Sequence, residues 1–224
     1  MAGFKGHLAF GILTGIVWSG ILVYFSYLNF SFIPLIFLTT IIGSFLPDLD
    51  SDQGTPLTVL LSLISLLSGM YVVYFINTGT SDISFVESLG YGIVYIIFMY
   101  YVIGGIFKKF TVHRGMFHSI PAILLSILIS LTFFNNYIDS INLKVLLSLS
   151  IGVGYFCHLV LDEINSTVNL GGIPFIPNKS LGTALKLFSK NKNINLLIYI
   201  VIFILFYLNI DVIVIFLDTI SVKI

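Results

Sequence analysis

Between Leu8 and Leu28 the chain runs 21 residues without a charge. A helix needs about 20 such residues to cross a bilayer, and this run supplies them. Six more apolar runs follow: Ser31–Leu46, Leu57–Ile76, Ser88–Phe107, Ile120–Phe134, Val145–Leu161 and Asn195–Leu217. Backbone exposed to lipid must satisfy its own hydrogen bonds, and these runs are too long and unbroken for barrel strands. The sequence therefore predicts an all-α fold, a polytopic transmembrane helical bundle of about seven spans, as one domain over residues 1–224. The second and fifth runs fall short of a straight span. The first is too long for a cleaved signal core of about 7–15 residues. Composition agrees: 58% of residues are apolar and 9% charged, against about a quarter charged in soluble domains. Ten basic residues balance ten acidic ones, which excludes a nucleic-acid partner held by a broad basic surface. The single cysteine, Cys157, excludes an internal disulfide and a Cys-rich zinc site.

The basic residues set an orientation. With a cytoplasmic N-terminus and seven crossings, Lys5, Lys108, Lys109, Arg114, Lys179, Lys186, Lys190 and Lys192 lie inside, and Lys144 and Lys223 outside. Cytoplasmic loops carry such an excess. The C-terminus then lies outside. Residues 162–193 form a cytoplasmic loop, and the mixture of Leu, Phe and Lys around Leu181–Lys190 predicts an interfacial helix.

Under this topology all four histidines fall at the cytoplasmic ends of spans: His7, His113, His118 and His158. Asp48, Asp50 and Asp162 fall there too. Ionisable groups at membrane depth are costly and read as functional by default. His158 and Asp162 are spaced i, i+4, so one helix face presents both. His113 and His118 flank Gly115, which lets the backbone bend. Pro47 discourages continuation of the helix, so Asp48 and Asp50 are presented from a turn. Each piece alone also reads as packing, capping or a turn. Together they form seven candidate ligands for a divalent cofactor, with one or two ions expected. Imidazole and carboxylate suit zinc first, and manganese or iron also. Arg114, among these ligands, either pairs a carboxylate or clamps an anionic substrate group.

At these residues the chain resembles a known family. His7, the run Gly43-Ser44-Phe45-Leu46-Pro47-Asp48-Leu49-Asp50, His113-Arg114-Gly115 with His118-Ser119, and Gly154-Tyr155-Phe156-Cys157-His158 with Asp162, Thr167 and Pro174 look like the YdjM-like family. That family is described as LexA-binding, inner-membrane-associated, metal-dependent hydrolases. The resemblance implies an inner-membrane location and a hydrolytic activity. A weaker likeness goes to zinc-dependent phospholipase C, through the Gly43–Asp50 run and the His158/Asp162 pair. It implies that Asp48 is the bridging or base carboxylate, that His158 and Asp162 bind zinc, and that the substrate is a phosphoester. The chain has Met1 where those proteins have a tryptophan ligand, and no histidine follows Asp162. One or two ions are thus expected rather than three.

The expected function is metal-assisted hydrolysis at the cytoplasmic surface of the membrane. Asp48 or Asp50 would activate water and Arg114 would stabilise charge on the substrate. Ser119, Asn165 and Thr167 would be supporting partners. Membrane lipid is the environment and a candidate substrate; the sequence is silent on protein partners and oligomeric state. Two alternatives stand beside this reading. One is a metal-ion transporter. The other is a metal-stabilised membrane scaffold that binds a regulatory protein.

Overall fold

A computed structural model describes residues 4–50, 55–79, 83–105, 117–167, 185–188 and 191–221. Among them the structure is helical, with no strand beyond one isolated bridge. The helices are α1 (Phe4–Tyr24), α2 (Ile33–Phe45), α3 (Thr55–Thr78), α4 (Phe85–Ile97), α5 (Ile120–Asn135), α6 (Ile141–Thr167), α7 (Lys192–Leu208) and α8 (Ile210–Ser221). Five helical segments among the described residues are long and apolar enough to span a membrane, or six if the bent pair α7 and α8 counts as one. The segment Ile120–Asn135, 16 residues long, is shorter than that.

The chain divides into two compact units. One comprises Met1–Pro47 and Met116–Ile224, the other Asp48–Gly115. In the first, α6 is the central helix and packs against α1, α2, α5 and α8. Two thirds of its span is buried, against about an eighth for α3. Two-thirds burial requires neighbours on most sides, and the small residues of α6 admit them. A Cβ at Gly154 would collide with the Thr40 carbonyl of α2, and one at Gly43 with the Ile151 carbonyl of α6. Small residues at such a crossing let two membrane helices approach backbone to backbone. Trp18 of α1 donates its indole N–H to Ser150 of α6 at 2.9 Å. At the N-terminal end of α6, buried Lys144 donates to Asn135 at the end of α5, at 2.7 Å. The larger apolar core of the unit lies toward that end, around Leu22, Ile36, Leu131, Leu147 and Phe216.

In the second unit, α3 and α4 pack as a hairpin. Asn77 donates to Ser88 at 2.6 Å near the turn. Ser84 and Glu87 form a reciprocal capping box at the start of α4. A π-helical turn, Phe98–Ile103, continues α4.

Three expectations are corrected. The seventh run is not one straight helix: α7 and α8 meet at a 61° bend. The bend falls at Asn209, whose side-chain amide donates to Leu205 O and to Thr132 Oγ1 of α5, both at 2.8 Å. A short amide offers the backbone an alternative to the helical ladder, and here it takes it. Second, Asp162 does not open a loop, because α6 continues to Thr167. Third, the expected interfacial helix is absent from residues 185–188, the part of it that is described. There Lys186 bridges to Ser119, and its carbonyl accepts from Ile120 N at 3.1 Å. Pairing with the start of α5 replaces helical pairing.

Candidate metal centre

Four helix ends of the first unit carry the site. His7 sits in the first turn of α1 and Ser44 in the last turn of α2. His118 immediately precedes the N-cap of α5, and His158 and Asp162 occupy the C-terminal part of α6. Helices consecutive in the unit, α1 with α2 and α5 with α6, run antiparallel, so the starts of α1 and α5 meet the ends of α2 and α6 at one end of the unit.

The sequence spacing of α6 does what its period requires. His158 and Asp162 share a face, with Nε2 and Oδ2 3.8 Å apart. His118 Nε2 lies 3.6 Å from the same oxygen. His7 Nε2 lies 3.4 Å from the other oxygen, Oδ1. The His7 and His158 rings stack with centroids 3.7 Å apart and planes 11° from parallel. All four residues are at most 6% exposed.

These distances suit a group of residues that could hold a cation better than one closed by direct hydrogen bonds. Separations of 3.4–3.8 Å are too long for strong hydrogen bonds to a carboxylate, which close to about 2.7–2.9 Å. They leave room for a cation between the ligand atoms. Around a tetrahedral ion with bonds of about 2.0–2.1 Å, ligand atoms stand about 3.3 Å apart. The ligand atoms of His118, His158 and Asp162 all lie within 4.8 Å of one another. His7 Nδ1 and Asp162 Oδ1 are buried and have no hydrogen-bond partner among the described residues. Buried polar atoms in that condition call for an ion or a water. The donor set fits a divalent metal. The carboxylate turns one oxygen to His7 and the other to His118 and His158, so it can serve one ion or bridge two.

Two contacts orient the rings. His158 Nδ1 lies 2.7 Å from the Ser44 carbonyl. A carbonyl only accepts, so Nδ1 carries the proton and donates. In the neutral ring Nε2 then holds the lone pair that faces the cluster. Metal-binding histidines commonly donate their other ring N–H in this way. The Ser44 carbonyl reaches the ring because Gly43 and Gly154 bring α2 and α6 together. The second contact holds the chain at His118. Tyr155, one turn before His158 and buried, donates its hydroxyl to the Phe117 carbonyl at 2.5 Å.

The structure therefore brings together His7, His118, His158 and Asp162 of the expected ligands. His113 and Arg114 lie outside the described residues, as does the side chain of Asp50. Asp48 belongs to a 3-10 turn, Leu46–Asp50, that follows α2 in the chain. Of the expected supporting residues, Ser119 is the N-cap of α5, accepting from Ala122 N at 3.4 Å. Asn165 donates to Leu161 O at 2.9 Å within α6. The side chain of Thr167 lies outside the described residues. Ser44 and Tyr155 stand in the motif runs, but sequence reasoning gave neither a role. The glycines at 43 and 154 were the available signal for the first. A tyrosine one turn from a ligand candidate, in a largely apolar helix, was the signal for the second.

Comparison with known families gives a match. The family model described as YdjM inner membrane protein aligns with residues 1–219. No curated protein and no solved structure matches the chain.

Proposed function

The chain belongs to the YdjM inner membrane protein family, and we propose that it is a metal-dependent hydrolase working at the membrane surface on a phosphoester such as a phospholipid or lipid phosphate. The observation that carries the reading is the buried cluster of three imidazoles around Asp162, with the Nε2 lone pair of His158 directed into it.

His118, His158 and Asp162 would hold the ion, with His7 at the other carboxylate oxygen. Zinc is the first candidate, with manganese or iron as alternatives. A bound divalent ion lowers the pKa of water toward 7 and polarises a phosphoryl oxygen. The chain's own part is to fix the ligands before the substrate arrives. Ser44 sets the tautomer of His158, and Tyr155 anchors the backbone beside His118. Asp48, or Asp50, is assigned the role of accepting the proton of the attacking water, and Arg114 that of opposing negative charge on the phosphoryl group. These three assignments rest on the sequence. By the excess of basic residues in the sequence this end of the bundle would face the cytoplasm, and the basic stretch Lys179–Lys192 would attract anionic headgroups.

The test is turnover. The purified full chain in lipid nanodiscs, loaded with zinc or manganese, is incubated with phospholipids, lipid phosphates and chromogenic phosphodiesters. Metal-dependent release of product from at least one phosphoester is expected, and His158→Ala should abolish it. A flat response across phosphoesters, carboxylic esters and amides would contradict the hydrolase reading and favour a metal-stabilised scaffold.

A further inference from the structure

Beside the cluster, on the outward face of the first unit, α1 and α6 leave a groove of about 340 Å³. It is lined by Gly6, Ala9, Phe10, Leu13, Leu161 and Asn165. Its volume is at the lower end of ligand-sized pockets, which run from about 300 to 1,000 Å³.

The register of the lining residues ties the groove to the cluster. Gly6 and Phe10 stand one residue before and three after His7. Leu161 and Asn165 stand one before and three after Asp162. On a helix those offsets flank a residue's own face, so the groove runs along the flank of both ligand-bearing turns. The two small residues of α1, Gly6 and Ala9, give it depth.

The groove also has a direction. From Gly6 to Leu13 it follows α1 inward for about 10 Å, at 1.5 Å per residue. Helix α6 runs the opposite way, so Asn165 stands level with the Gly6 end and Leu161 lies a turn deeper. The only polar side chain in the lining is therefore at the membrane-surface end, beside the ligands. The inner end is hydrocarbon. That gradient, polar head end and apolar interior, is the gradient of a lipid.

We propose that the α1/α6 groove seats the hydrocarbon chain of a membrane lipid, so that its phosphoester head is delivered laterally to the His7/His118/His158/Asp162 cluster. This deepens the proposed function and rests on it for the chemistry, but occupancy of the groove can be measured without turnover.

The experiment uses the full chain in nanodiscs containing a phosphatidylglycerol with a diazirine in its acyl chain. Photolysis followed by peptide mapping should concentrate label on residues 9–13 and 161–165, above the level at Leu63, Leu67 and Tyr71, which are exposed on α3. Ala9→Phe, which fills the groove, should remove that excess. Leu67→Phe should not. Label spread evenly over exposed helix faces, or unchanged by Ala9→Phe, would overturn the proposal. In a turnover assay, Ala9→Phe should lower the ratio of long-chain to short-chain phosphoester hydrolysis at least about tenfold, since even one methylene of pocket fit is worth roughly that. An unchanged ratio would also overturn it. Concentrated label without hydrolysis of any ester would sustain the groove and sink the hydrolase reading, so the two fail separately.

Discussion

Replacing Gly154 by alanine tests whether helix spacing sets the metal ligands. A Cβ at 154 would lie 2.9 Å from Ser44 N and closer still to the Thr40 carbonyl. Both are backbone atoms, so no side chain can rotate out of the way. Helices α2 and α6 must then part by about 1 Å, a gap that already forfeits a good share of their packing attraction. Overpacking of this kind costs about 1–3 kcal/mol. The consequence for the site is specific. The His158 Nδ1 to Ser44 O hydrogen bond, 2.7 Å in the structure, would stretch beyond the roughly 3.2 Å limit of a good N–H···O bond. The ring then loses the contact that fixes its tautomer and direction. Loss of such a partner typically weakens metal binding by about 10–100-fold. The assay is zinc competition against a fluorescent chelator, with thermal unfolding in the same detergent. Gly20, whose Cβ would meet nothing within 4 Å, is the control. Gly154→Ala should lose both affinity and stability, and Gly20→Ala neither. Wild-type zinc affinity in Gly154→Ala would refute the argument that the crossing positions the ring.

Three further outcomes are expected. Asp162→Asn should weaken zinc binding by at least about 100-fold, because it removes the charge of a carboxylate that faces three imidazoles; equilibrium dialysis reads this, and an affinity within threefold of wild type would contradict the ligand assignment. Tyr155→Phe should cost about 0.5–1.5 kcal/mol of stability and lower zinc affinity while leaving the helical circular dichroism intact; a change in stability with no change in affinity would make Tyr155 structural only. Asn209→Leu and Thr132→Val, combined in a double-mutant cycle of unfolding, should show coupling near 0.6 kcal/mol, the usual scale for interhelical hydrogen bonds in membranes; a coupling of zero would mean that their 2.8 Å contact does not hold the bend.

Much of the fold was legible because membranes impose a simple rule, that apolar runs become helices. The same rule made the bend invisible. Asn209 lies inside an apolar run whose pattern shows no break, yet its amide is spent inside the bundle on Thr132 of α5 and on Leu205 O. The ligands on α6 were legible because a four-residue spacing fixes a shared face. His7 and His118 were legible through the topology, which brings alternate helix ends together. The Ser44 carbonyl was not, since every residue carries one and only its neighbours' small size marks it. The stretch around Lys186 misled for a related reason. Its amphipathic composition suits a surface helix, but a distant segment, the start of α5, offers its backbone a partner that local pattern cannot register.

The most direct measurement is metal analysis with X-ray absorption spectroscopy on the full chain, purified in detergent and loaded with zinc. At least one equivalent is predicted, with a nitrogen and oxygen shell at about 2.0–2.1 Å and the multiple scattering of several imidazoles, diminished in His118→Ala and in His158→Ala. Less than a tenth of an equivalent after loading, or a shell without imidazole scattering, would contradict the claim that His7, His118, His158 and Asp162 converge on a cation.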